Sequence, residues 1–354
     1  MRCYERAARY ARDWPDVGRL HVGFSGILLE QFTDPGIIND YRQFVDIPAM
    51  LRAYAEAPNI ELVGMGYFHP IFPLIPQDDW EEQLNLGVEM YQRLFGRRPK
   101  GFWPPEMAFT MEMIPALKRA GYEYVLIDSY HVQPEDGGKD VYRPYLASYG
   151  GATITIIPRD RDVSNAQESG LNPEWFLNEV SHKVGRPEIP RLMTTWSDGE
   201  NGGWFRQMSE EAGFFGYFFA PFMGKVRAGE SFIEPVLISE YLRQHPAEAT
   251  ATARTGAWNV ASTSGYDFSQ WAGSQSQKKA IEEIFRVTSR YNAVKRKVGR
   301  ADNEAGRMVA EARRLNLEAE TSCFLFWGDS WIPKLYERSE PALRLLHEAE
   351  ARLK

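Results

Sequence analysis

Gly101-Phe-Trp-Pro-Pro-Glu-Met-Ala-Phe-Thr110 sets one carboxylate behind two prolines and a tryptophan, inside an otherwise apolar run. Each proline disfavours helical geometry in the residue before it, so Trp103 and Pro104 are expected to be extended. Neither proline can donate a ladder hydrogen bond, so a strand over Gly101–Trp103 must stop there. Glu106 then follows a rigid strand end, with Trp103 nearby to exclude water. A reactive group fixed before its substrate arrives needs such a placement.

Working outward, similar apolar runs occur at His21–Ser25, Glu61–Met65, Tyr122–Ile127, Ala152–Ile157 and Arg191–Trp196. They are short, rich in β-branched and aromatic residues, and bounded by Gly, Pro or Asp, which reads as strands. Helical periodicity lies between them. Trp80, Leu84, Val88, Tyr91 and Phe95 recur after Asp78, and Gly96 follows as a stop. Pro173–Lys183 and Met208–Val226 read as further helices, and Tyr4–Trp14 as an early one. The βαβα order predicts a mostly parallel sheet, closed as a barrel or open and doubly wound. After residue 265 the pattern turns helical over Gln277–Val298, Glu304–Leu317 and Pro341–Leu353, a bundle expected to pack on the barrel.

In parallel α/β folds, functional groups collect at the C-terminal ends of strands. Just past the runs stand Ser25, His69, Glu106, Asp128 with His131, Arg159 with Asp160, and Asp198 with Glu200. Any one of these also fits an ordinary cap or turn. Together they predict a rim converging on one pocket. His69, flanked by Pro70, reads either as a loop histidine or as a neutral hydrogen-bond donor to substrate. Met193–Trp204 carries three glycines, two carboxylates and two tryptophans. A tight turn explains Asp198-Gly199, but not Trp196, Trp204 or Glu200. A carboxylate directly behind Trp196 is expected to be partly desolvated, and so raised toward a general acid. Paired across a pocket, Glu106 and Asp198 could split a glycosidic bond.

Composition narrows the alternatives. The 354 residues are 44% apolar and 25% charged, with a formal charge of −7, an ordinary folded chain with nothing favouring a nucleic-acid or anionic-membrane partner. No apolar run approaches the roughly 20 residues of a membrane helix, and the polar start MRCYERAARYARDW lacks a secretion-signal core. The expected location is the cytoplasm. Cys3 and Cys323 have no metal-ligand spacing, and the chain has no HxxxH, HxH, GxSxG or dinucleotide motif. No cofactor or metal is expected. Many of the 10 tryptophans stand beside polar turn residues, among them Trp258, Trp271 and Trp327, which suits surfaces that stack on sugar rings as well as ordinary core packing near loops.

HPIFPLIP (69–76), RPKGFWPPEMA (98–108), WSDGENGGW (196–204) and EAETSCFLFWGDSW (318–331) together resemble glycoside hydrolase family 57. That family includes α-amylases, 4-α-glucanotransferases and branching enzymes. The resemblance covers most of the chain. It implies an α/β fold, a (β/α)7 barrel over residues 1–260 followed by a helical bundle over 261–354 that lines the cleft. It also implies a retaining mechanism on α-glucans, with Glu106 as nucleophile and Asp198 as general acid/base. Substrate contacts are expected from His69, Trp103, Asp128, Arg159, Trp196, Glu200, Trp204, Trp258, Trp271 and Trp327. Family members usually begin with a strand carrying a His-Gln-Pro-like motif, which this sequence lacks. Either the start methionine is placed late, or the sequence is a fragment, or the barrel is short of its first strand, which would leave an open edge and remove part of the sugar-binding wall. That departure motivates a second reading, a carbohydrate-binding or regulatory protein that keeps the pocket without catalysis. Hydrolysis and glucan transfer use the same carboxylates and stay undivided here, as do linkage, chain length and oligomeric state.

Overall fold

The computed structural model describes residues 2–184, 190–199, 210–258, 268–299 and 303–353. Eight strands are found among them: β1 Leu20–Gly23, β2 Ile60–Gly64, β3 Gly101–Phe102, β4 Tyr124–Asp128, β5 Val132–Pro134, β6 Tyr145–Tyr149, β7 Ala152–Arg159 and β8 Ala251–Ala253. The main sheet runs β1-β2-β3-β4-β7-β6, with β5 and β8 paired apart from it. β1 through β4 and β7 are parallel neighbours, as the βαβα order predicts, and β6 is antiparallel. β2 and β4 are buried along their whole length, so their apolar runs do not alternate.

The expected strand at Arg191–Trp196 forms no ladder among the described residues. It makes one parallel bridge, Thr194 to Arg159. Side chains take the place of a neighbouring strand. Trp196 N donates to Ser164 Oγ at 3.1 Å, and the Trp196 carbonyl accepts from Arg159 Nε at 2.7 Å. At the opposite side of the sheet, β1 is an edge among the described residues.

Helix Gln77–Phe95 buries Trp80, Leu84, Val88, Tyr91 and Phe95 as its spacing predicts, and ends on Gly96 at φ 67°. Helices Gln275–Val298, Glu304–Ala319 and Ile332–Ala351 form the C-terminal group. The last begins well before the expected Pro341. Pro333 occupies the first turn, where a missing N–H costs little, and Pro341 is carried inside the helix. Its buried face, Leu335, Ser339, Ala342 and Leu346, runs through that proline. Packing therefore outweighs the lost hydrogen bond. Ala280, Ile284, Leu325 and Leu335 share one apolar core with Phe102, Ile127 and Ile156, so the C-terminal helices are seated directly on the sheet.

Candidate active site

The prolines after β3 do what their chemistry predicts, and more. Pro104 is extended at φ −60°, ψ 130°. Glu106 then turns into the left-handed region at φ 56°, and Met107 follows at φ 49°. Besides these two, one other non-glycine residue among the described residues has positive φ, His69 at 59°. Such conformations cost about 1–3 kcal/mol each and persist where the surroundings over-determine them. Here all three fall at or beside one site.

The surroundings of Glu106 are explicit. Phe109 and Gly256 exchange backbone hydrogen bonds at 2.9 and 3.2 Å, and Trp258 N donates to the Glu106 carbonyl at 2.9 Å. That pairing brings the Trp258 ring over the carboxylate, where Nε1 donates to Oε2 at 3.0 Å. The pairing needs a glycine at 256, since a Cβ there would stand 2.2 Å from the buried His131 ring. On the other oxygen, Ser322 Oγ lies 3.3 Å from Oε1, and His69 Nδ1 lies 2.8 Å from the same hydroxyl.

Trp103, Trp196 and Trp258 are buried together behind the carboxylate. Trp103 meets Trp196 edge-to-face at 5.1 Å and Trp258 at 5.7 Å, an arrangement aromatic quadrupoles favour. Glu106, Asp198, His69, Trp103, Trp196 and Trp258 all line one cavity of about 1490 Å³. That exceeds the roughly 300–1,000 Å³ typical of drug-sized ligands and leaves room for an oligosaccharide. A second wall of the cavity is a row of phenylalanines, Phe214, Phe215, Phe218, Phe219 and Phe222.

Asp198 is exposed, so the desolvation expected from its place behind Trp196 is not found. Glu200 and Trp204 lie outside the described residues. Asp128 and Arg159 do not line the cavity. They form a fully buried ion pair at 3.1 Å, and Arg161 Nε donates to the same Asp128 oxygen at 2.9 Å. The Arg159 guanidinium stands 5.1 Å from the Trp258 ring centroid and also holds the Trp196 carbonyl. These two residues support the site from behind. Ser25 and Asp160 cap the helices that follow them, accepting from Leu28 N and Val163 N. Trp271 is fully buried in the core shared by the sheet and the C-terminal helices, and Trp327 is 56% exposed beside Phe326 and Trp331; neither lines the cavity. Ser322 was missed. Its contact with Glu106 spans 216 residues, and no local pattern marks it. Among the described residues, no group of three or more His, Cys, Asp or Glu could hold a metal ion, and no helix is long and apolar enough to cross a membrane.

An α-amylase of Pyrococcus abyssi is 25% identical over 301 residues, which is 83% of this chain and 42% of that protein. A 4-α-glucanotransferase of Thermococcus litoralis is 29% identical over 160 residues, 45% of this chain and 23% of that protein. The chain thus spans less than half the length of these curated relatives. Among solved structures, a branching enzyme of Thermococcus kodakaraensis matches with a TM-score of 0.77 at 16% identity, over 98% of this chain and 84% of that one, which shows a shared fold. The profile of glycosyl hydrolase family 57 matches residues 1–254, well over half of the 354, and the chain belongs to that family.

Proposed function

We propose that this chain is a retaining glycoside hydrolase or transglycosylase acting on α-glucans, with residues 1–260 as its barrel and 261–354 as the helical part that closes the cleft. The observation that carries this reading is Glu106, a strained carboxylate held at both oxygens in a cavity that Asp198 also lines. Glu106 attacks the anomeric carbon as Asp198 gives its proton to the leaving oxygen. The glycosyl ester on Glu106 is then released when Asp198 takes a proton from water or from a sugar hydroxyl. No metal or organic cofactor enters these steps. The family and the relatives support the substrate class. A retaining pair of this kind has its carboxyl oxygens about 5–5.5 Å apart in the substrate complex.

The test is product analysis with amylose, pullulan and a synthetic α-galactoside. Shortened or redistributed amylose chains are expected. One observation favours the second reading, a carbohydrate-binding protein without turnover: β1 is an unpaired edge among the described residues. Calorimetric binding of a maltooligosaccharide with no product from any of the three substrates would select it.

A further inference from the structure

We propose that Ser322 positions the nucleophile, its hydroxyl donating to Glu106 Oε1 while His69, in the Nδ1–H form, donates to that hydroxyl. The inference rests on the reading of Glu106 as the nucleophile. Its geometry is the pair of contacts at Ser322 Oγ, 3.3 Å to Glu106 Oε1 and 2.8 Å to His69 Nδ1. A serine hydroxyl has one proton to give, and an ionised carboxylate only accepts. With Glu106 ionised, as a nucleophile must be, the proton of Ser322 points to Oε1. The bond to His69 is then made only if Nδ1 carries a proton. In the neutral ring the lone pair then falls on Nε2, so that nitrogen can accept but not donate.

The three residues are tied by more than this contact. Ser322 is fully buried and opens helix Ser322–Phe326. Its N–H donates to the His69 carbonyl at 2.9 Å, and Pro70 bridges Thr321. Gln83 reaches both partners from one buried position. Its Oε1 accepts from Phe68 N at 2.9 Å, and its Nε2 donates to Glu320 Oε2 at 2.7 Å. Burial first, and then the neighbouring Asp79, push Glu320 well above the usual carboxylate range. The loop carrying His69 and the segment carrying Ser322 are thereby fixed relative to each other. With Trp258 on Oε2, the carboxylate is gripped at both oxygens. The grip aims it before attack and stabilises its charge when it leaves.

The experiment joins a spectroscopic and a kinetic readout on the full chain. Histidine ¹⁵N spectra of the neutral ring, with His69 assigned by its loss in His69→Gln, are expected to show a protonated Nδ1. In Ser322→Ala the proton is expected to move to Nε2. A wild-type ring already protonated at Nε2 overturns the relay. On amylose, Ser322→Ala is expected to lower kcat by about ten- to a hundredfold, the effect of one hydrogen bond to a charged group, with KM within about twofold. Ser322→Thr, which keeps the hydroxyl, is expected to recover part of that loss. A rise in KM alone, or a Thr variant no better than Ala at equal thermal stability, also overturns it. The spectra need no turnover, so failure of this contact and failure of the glycosidase reading give different results.

Discussion

The two carboxylates of the proposed reaction sit on unlike walls. Glu106 has strained backbone, a tryptophan on one oxygen and a serine on the other, and neighbours drawn from three distant segments. Asp198 is exposed, on a segment that forms no ladder among the described residues and is tied to the sheet by one β-bridge at Thr194 and by side-chain hydrogen bonds. The difference suits the two tasks. A nucleophile must approach one carbon along one line, so its position is built in. An acid/base group first donates and then accepts a proton, and its partner atom differs between the two steps.

Substitutions can break or sharpen that contrast. The largest effect is expected at Glu106→Gln, which keeps shape and removes the proposed nucleophile. Turnover should fall on the order of 10⁴-fold or more, with the melting temperature little changed. Ordinary turnover by this variant would take Glu106 out of the role. Asp198→Asn should cost about 10²- to 10⁴-fold on amylose. The loss should be much smaller on an α-glucosyl fluoride, whose leaving group needs no proton. Equal losses on both substrates would give Asp198 another role.

Asp128→Ala probes the support behind both walls. It leaves the buried Arg159 with only its longer pair to Glu168, at 3.8 Å, and should destabilise the fold by up to about 3–5 kcal/mol in a denaturant titration. A value near zero would mean that the pair is not needed to hold Arg159 and, through it, the Trp196 carbonyl. Trp258→Phe removes the Nε1 donor while keeping a ring. A loss of about 1.5–3 kcal/mol of transition-state stabilisation, read from kcat/KM, is expected. The smallest effect concerns pH. Folding keeps Glu320 protonated where the unfolded chain would release that proton. Stability is therefore expected to fall as pH rises from the usual carboxylate range toward the raised folded value. Glu320→Gln removes this slope, so the drop in melting temperature between about pH 5 and about pH 8 should be smaller in the variant. An unchanged drop would place Glu320 outside that linkage.

The parts of the site that were legible in the sequence are those fixed by local chemistry. Two prolines end β3 and deliver Glu106, and Trp103 comes with it, because chain geometry over a few residues dictates both. Asp128 and Arg159 were rightly placed at strand ends, yet neighbouring parallel strands bring them opposite each other, so they pair instead of facing the cavity. Trp271 and Trp327 show why polar sequence neighbours are a poor guide to surroundings. Trp271 is the buried residue of the short helix Ser269–Ala272, whereas Trp327 faces outward at the end of helix Ser322–Phe326. The left-handed turn at Glu106 was not foreseen, since nothing in Pro-Pro-Glu demands positive φ. It is imposed by the pairing with Gly256–Trp258, a contact across 152 residues. Ser322 was hidden for the same reason.

The central claim, that Glu106 forms a covalent bond to the sugar, is tested most directly by trapping. The chain is incubated with a fluorinated α-glucosyl fluoride, digested and analysed by mass spectrometry. One added sugar on the carboxylate within Gly101–Thr110, absent in Glu106→Gln, is the predicted result. A sugar attached elsewhere, or turnover with inverted anomeric configuration, would contradict it.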